Sequence, residues 1–475
     1  MSQATSVPSY SALFRSPYRA LMVAALGATF LGSLDALMVV TALPSAAQDI
    51  GGVDMISIAV GATMVTICIT LPLAGALIDR YGVARSFAIA CVLFTVANIV
   101  GGLAPSMPVV ALSRGVLGLG AGFMFAVPLG LFALYVPNTL RPRAFGLNAA
   151  MWGVSALVGP ALGAALTGSV GWRWVFWVNL PLIAIVAWAA RLALRTHPAH
   201  EPRHRNEPLN VIGPVLLGAT VFSLLVAARN PVFALIAVVP AAAFLVYERR
   251  TRVPVFTHRP VSLAANVASL ATGAAFLGAE VYLPLQLQVG FGEPIGVVAI
   301  ALVLTTLGWT TGSMAAARFD AAPGDQILLG TVLVFVGTLV MAVPAGGVAL
   351  PIVAYAVSGL GMGVASPALF QVVLSDGEAG REGKATSSIP LARQVGAGLG
   401  TAVAGIIFVA SLSQSAVHAA EKTGAHVPAV VPAARHTFVA AALLGGLGLV
   451  ACHWLRREPG RSVARRPEPA DRAAA

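Results

Sequence analysis

The sequence predicts an all-α membrane protein of fourteen spans, and three observations carry that prediction. Of 475 residues, 58% are hydrophobic and only 10% charged, with a mean hydropathy of +0.86. A soluble domain carries about 25% charged residues, so this chain has too few to cover a water-facing surface. Apolar runs of about 20 residues, the length that crosses a bilayer, recur from one end to the other. Arginine and lysine fall in alternating short connections, not in one patch.

The apolar runs lie near 20–43, 56–78, 86–104, 108–136, 144–168, 174–194, 209–228, 231–247, 261–289, 295–316, 325–343, 348–374, 385–411 and 434–455. They contain glycine and proline, which transmembrane helices tolerate better than soluble ones. Membrane-barrel strands are only ~10 residues long and alternate in polarity, so these runs read as helices. With alternating sides, 23 of the 29 Lys and Arg residues fall on one face and 4 on the other. Arg114 and Arg393 remain inside spans. The rich face is expected to be cytoplasmic, with both termini there and the protein in the cell membrane. Adding or dropping one helix would scramble the alternation.

The domain organisation follows from this order. Residues 1–19 form an N-terminal tail, 20–194 a six-helix bundle, and 195–208 a basic, Pro-rich linker. Residues 209–260 hold two additional helices and their connection, 261–455 a second six-helix bundle, and 456–475 an Arg/Pro/Ala tail. Two similar bundles imply a shared cavity between them. The polar first 20 residues lack a short apolar core with a cleavage site, which predicts a retained first helix.

Several other chemistries are set aside. The net charge of +11 is spread over loops and termini, so no nucleic-acid partner is expected. Cys68, Cys91 and Cys452 have no metal-ligand spacing and read as small buried hydrophobes. The stretch from His200 to His204 matches H-E-x-x-H, but Pro202 breaks the helix that zinc binding would need. Alternating glycines at Gly118–Gly122, Gly359–Gly363 and Gly396–Gly400 lie inside spans, where small residues let helices approach. There is no G-x-x-x-x-G-K-[ST] loop, so energy is expected from an ion gradient and no cofactor is expected. A membrane-embedded enzyme would need clustered polar groups at one depth, and a channel would need polar rings along a pore.

Charged groups at bilayer depth cost at least ~2.5–3.5 kcal/mol, so they mark cavities or partners. Asp35 and Glu280 are the acids placed deep in spans. Counting ~1.5 Å per residue from Pro44 and Pro108, Asp35 and Arg114 lie ~13 Å and ~9 Å below the outer edge. Those depths allow a buried ion pair; an interhelical hydrogen bond is the alternative for either acid. Glu280 lies at a similar ~15 Å in the second bundle. A carboxyl exposed alternately to the two sides is what proton coupling requires.

Four stretches together resemble the major facilitator superfamily, specifically its fourteen-span drug:proton antiporters. They are LDALMVVTALP from Leu34 to Pro44, GALIDRYG with Arg85 from Gly75, the span around Arg114 to Gly122, and GPALG from Gly159 to Gly163. The run WRWVFWVNLP from Trp172 and the RQVG from Arg393 fit the same pattern. The resemblance implies two six-helix bundles plus two central helices. It implies proton-coupled export of hydrophobic or amphipathic small molecules, with a lipid or self-made natural product as the alternative cargo. Asp35, Glu280 and Arg114 become proton-coupling candidates, and Gly75, Asp79, Arg80, Gly82 and Arg85 a conformational-switch motif. Gly159, Pro160 and Gly163 become the antiporter motif, while Met38, Tyr282, Gln286, Trp309 and Arg393 become cavity candidates. The bilayer, a small-molecule substrate and protons are the expected partners of a functional monomer. Val40, Leu37 and Leu117 stand where the family often has polar residues, which points to an apolar substrate.

Overall fold

A computed structural model of the chain describes residues 10–52, 55–196, 207–227, 232–318, 321–344, 347–411 and 428–457. The H-E-x-x-H match, most of the 195–208 linker, most of the loop before 434 and the tail beyond 457 lie outside the described residues. The described residues are helical, with no strand among them.

The first bundle comprises α1 (Arg19–Ile50), α2 (Ile56–Tyr81), α3 (Val83–Gly102), α4 (Met107–Tyr135), α5 (Arg141–Ser169), α6 (Trp174–Trp177) and α7 (Asn179–Thr196). The short α6 and α7 together make one span, interrupted at Val178. Pro181 has no N–H for the Trp177 carbonyl, a sufficient local cause for the irregularity. Next come α8 (Ile212–Ala227) and α9 (Val232–Arg250). The second bundle holds α10 (Pro260–Leu285), α11 (Ile295–Ala316), α12 (Pro323–Val340), α13 (Ala349–Asp376), α14 (Glu382–Ser411) and α15 (Val430–Arg457).

Among the described residues, twelve helices are long and apolar enough to cross a membrane. They are the six of each bundle. Of the central pair, α8 has 16 described residues, and α9 has 19 but ends in Glu248, Arg249 and Arg250. The first span is longer than the sequence reading expects. Rather than stopping near 43, α1 runs through Pro44 to Ile50. Proline removes one backbone donor, which a membrane helix tolerates when neighbours hold it. Asp35 therefore lies ~22 Å from the end of its helix.

Both bundles repeat one packing pattern. The first helix lies on the fifth, the second on the fourth, and the third on the fourth: α1 on α5 and α10 on α14, α2 on α4 and α11 on α13, α3 on α4 and α12 on α13. The bundles meet along two seams, α2 against α14 and α5 against α11. At the first seam α8 packs on both α2 and α14, with α9 behind it.

Both seams are held toward the arginine-rich face. At one, Gly75 and Gly383 meet backbone to backbone, and a Cβ on Gly383 would come within 2.5 Å of the Gly75 carbonyl oxygen. At the other, a Cβ on Gly146 would come within 3.1 Å of the Ser313 carbonyl oxygen, and Phe145 stacks on Phe370 at 4.8 Å. A short 3-10 turn, Tyr10–Phe14, straps this second seam. Leu13 anchors it, fully buried in a core cluster that draws on both bundles. The Tyr10 hydroxyl donates to the Met314 carbonyl at 3.1 Å, and its ring lies 5.9 Å from the Arg143 guanidinium and 5.6 Å from that of Arg318. Burial pushes the Tyr10 hydroxyl above its ordinary pKa of 10.0, against the pull of Arg318 and Arg143, so it remains a donor at neutral pH.

Candidate functional site

The first-bundle site is built from five helices and centres on Asp35, which is fully buried on α1. Its Oδ2 accepts from Arg114 Nη1 on α4 at 2.7 Å. Its Oδ1 accepts from Asn179 Nδ2, the first residue of α7, at 2.7 Å. Asn179 also donates to Asn98 Oδ1 on α3 at 2.9 Å, and Asn98 Nδ2 returns to the Phe94 carbonyl. Thr63 on α2 donates to the Arg114 backbone carbonyl at 3.1 Å. A buried charge without such partners is unaffordable, and here both carboxylate oxygens have charged or amide donors.

The sequence reading missed Asn98 and Asn179 as site residues because it surveyed only charges. An amide inside an apolar span carries the same desolvation cost in smaller measure, so the signal was present.

Glu280 lies far from this cluster in the chain, on α10 of the second bundle, and is partly buried. Its carboxyl faces the Tyr355 hydroxyl from α13, which also reaches the Phe276 carbonyl at 3.4 Å. Tyr355 stacks on Phe276 at 4.9 Å, and Phe276 meets the Trp309 ring edge-to-face at 5.5 Å. The Arg393 guanidinium lies 5.3 Å from the centre of Trp309 on its other contact. One line of contacts thus connects Glu280, Tyr355, Phe276, Trp309 and Arg393. Tyr282 packs on Phe408 at 5.2 Å, and Gln286 is buried in a π turn, Gln286–Gly290, that continues α10 beyond Pro284.

Met38 stands apart from these. It is fully buried where α5 presses on α1, and a Cβ on Gly163 would come within 2.6 Å of its carbonyl oxygen. Gly159 lies against Leu37 in the same contact, while Pro160 is exposed on α5. These glycines set the distance between α1, which carries Asp35, and α5, which forms a seam.

The switch motif occupies the end of α2. Gly82, at φ 83°, closes α2 and opens α3 in a single residue, a conformation that glycine accepts without strain. Asp79 Oδ1 accepts from the Gly383 N–H at 2.7 Å and Oδ2 from the Lys384 N–H at 2.9 Å. Both donors belong to the first turn of α14, where orphan N–H groups and the helix dipole favour an anion. The Arg80 guanidinium lies 5.1 Å from the Tyr81 ring, and Arg85 is exposed. On the opposite face, Asp49 at the extended end of α1 accepts from Trp172 Nε1 at 3.0 Å and Arg173 Nη1 at 2.9 Å.

Two pseudo-repeated bundles, two latched seams and buried ionisable groups at mid-depth define a membrane transporter. Residues 25–401 match the Major Facilitator Superfamily, and the chain belongs to that family. It is 24% identical over 398 residues to Multidrug resistance protein 3 of Bacillus subtilis, covering 79% of this chain and 77% of that one. It is 29% identical over 435 residues to the MFS-type transporter Rv1877 of Mycobacterium tuberculosis, covering 84% of this chain but 61% of that longer relative. It is 22% identical to the multidrug efflux pump SdrM of Staphylococcus aureus, covering 80% and 87%. Among solved structures, the human organic anion transporter MFSD10 superposes with a TM-score of 0.65 at 15% identity, over 91% of this chain and all of that one. The Escherichia coli fucose:proton symporter FucP gives 0.59 at 14% identity, over 91% and 98%. Those likenesses establish the fold. The chain is a multi-pass membrane transporter, not an enzyme.

Proposed function

We propose that this transporter is a proton-coupled exporter of hydrophobic or amphipathic small molecules, working as a monomer by alternating access. In this reading α8 and α9 cross the membrane as well, giving fourteen spans. Both termini are then cytoplasmic in a bacterial plasma membrane, and a proton gradient is the energy source. The observation that carries it is the buried Asp35–Arg114 pair, 2.7 Å apart in the middle of the first bundle. A proton added to Asp35 removes the charge that holds Arg114, while Asn179 keeps a hydrogen bond to the carboxyl. The freed guanidinium must then find another acceptor, and a change in helix packing can supply one. The Asp79 contact with α14 supplies the second state-dependent element, because opening the arginine-rich face separates those groups. With that face closed, we read the conformation described as the one shut toward the cytoplasm. The multidrug names of several relatives agree with a broad apolar cargo.

The test is reconstitution into proteoliposomes with an imposed pH gradient and a lipophilic dye. Dye movement should follow the gradient in wild type and lose that dependence in Asp35→Asn. Movement indifferent to the gradient, or unaltered by Asp35→Asn together with Glu280→Gln, would remove the coupling claim. The apolar walls equally suit a lipid or a self-made natural product, which a substrate panel would separate.

A further inference from the structure

A guanidinium in the middle of a span is expensive unless something accepts its protons. The two intramembrane arginines of this chain solve that problem differently. Arg114 is neutralised by Asp35. Arg393, ~16 Å along α14, forms no ion pair among the described residues. Its Nη2 donates to Ser366 Oγ at 3.3 Å, a long contact with a neutral group. Its Nε is buried without an acceptor. The indole N–H of Trp309, the ring that packs against this guanidinium, is also buried without an acceptor. The acid of the same bundle, Glu280, is engaged by Tyr355 instead.

The surroundings hold the guanidinium in place. Gly273 brings the α10 backbone against the Arg393 stem, where a Cβ would come within 3.0 Å of Cγ. Trp309 backs it from α11 and Ser366 from α13. Arg393 itself keeps partial exposure. Two unfilled N–H donors and a whole positive charge ask for an acceptor that carries negative charge. Trp309, half-buried beside it, offers a flat ring for an apolar body, backed by the buried Phe276 and Tyr355.

We propose that Arg393 and Trp309 form the head-group subsite for an amphipathic anion, a carboxylate or sulfonate borne on an aromatic or hydrophobic body. The proposal deepens the export reading, on which it rests for the entry of a solute between the bundles. It narrows the cargo from anything apolar to molecules with an acidic end. Arg393 supplies charge and a planar donor fork, and Trp309 supplies one further donor.

The experiment uses three probes that share one fluorophore. Dansyl sulfonate is an anion, dansylamide is neutral and dansylcholine is a cation. Binding to the purified full-length protein in nanodiscs is read by fluorescence titration. Wild type should bind the sulfonate roughly tenfold to a hundredfold more tightly than the amide, the range for a charge-assisted hydrogen bond. Arg393→Gln should erase that preference and leave dansylamide affinity unchanged; Arg393→Lys should restore part of it. Equal affinities for the three probes in wild type, or a sulfonate preference that survives Arg393→Gln, would overturn the proposal. Should Arg393→Gln fail to fold, Trp309→Phe keeps the ring and removes the N–H. It should weaken sulfonate binding severalfold and spare the amide, and no loss would count against the subsite. Gradient-driven movement of dansylamide or dansylcholine in proteoliposomes separates the two readings. If those move while the sulfonate neither binds nor moves, export stands and the anion subsite falls. If the sulfonate binds through Arg393 and nothing moves with the gradient, the subsite stands and proton-coupled export falls.

Discussion

The two bundles share a packing pattern but treat their buried charges in opposite ways. In the first, Asp35, Arg114, Asn179 and Asn98 form a closed circuit in which acid and base neutralise each other. In the second, Glu280 is held by a tyrosine hydroxyl and Arg393 by an aromatic face and a serine. In the proposed export reading the first arrangement is the proton-responsive one, because neutralising one member leaves the other uncompensated. The open arrangement leaves the positive group available to something from outside the bundle. One repeated scaffold thereby hosts two electrostatic functions.

The largest effect expected is from breaking the closed circuit on one side. Asp35→Ala leaves Arg114 buried and unpaired, and should cost about 3–5 kcal/mol in detergent unfolding. Replacing both, with Asp35→Leu and Arg114→Met, should recover most of that stability while abolishing dependence on the pH gradient. If the double variant stays as unstable as the single one, the circuit is not the self-contained unit described. Asn179→Ala removes a 2.7 Å bond to the carboxylate and should cost about 1.5–3 kcal/mol by the same unfolding measurement. In the second bundle, Glu280→Gln keeps an acceptor for Tyr355, so its stability should change by no more than about 1 kcal/mol. A loss as large as that of Asp35→Ala would mean Glu280 has a charged partner after all, and would erase the contrast. Least of all, Arg85→Gln on the exposed end of α3 should stay within about 0.5 kcal/mol of wild type.

Much of this was legible in the sequence, for identifiable reasons. Span order and the arginine-rich face follow from hydropathy and charge. The structure gathers Asp79, Lys384, Arg143 and Arg318 around contacts at one end of the molecule. Comparable depth makes Asp35 and Arg114 partners, whereas the end of α1 is not legible, because Pro44 looks like a terminus and is not. The amides were hidden by a survey confined to full charges. The Tyr10 strap and the Asp49–Arg173 clasp were hidden because they depend on where a chain end and a loop fold back. Hydropathy has no term for that. Nor does spacing reveal that Met38 is spent on the α1–α5 contact, since its burial is set by Gly163 on another helix.

The Tyr10 strap carries a consequence best expressed in populations. It joins the bundles where the arginine-rich face is closed, so in the proposed alternating-access cycle its hydrogen bond to Met314 weights the closed conformer against the open one. A neutral hydrogen bond contributes about 1 kcal/mol net, which corresponds to roughly a fivefold ratio. Tyr10→Phe should therefore raise the share of molecules open on that face severalfold without touching any group in the membrane interior. A segment outside the spans would thus act as a counterweight on the resting equilibrium, and, in the proposed proton-coupled cycle, on how much work the gradient must do.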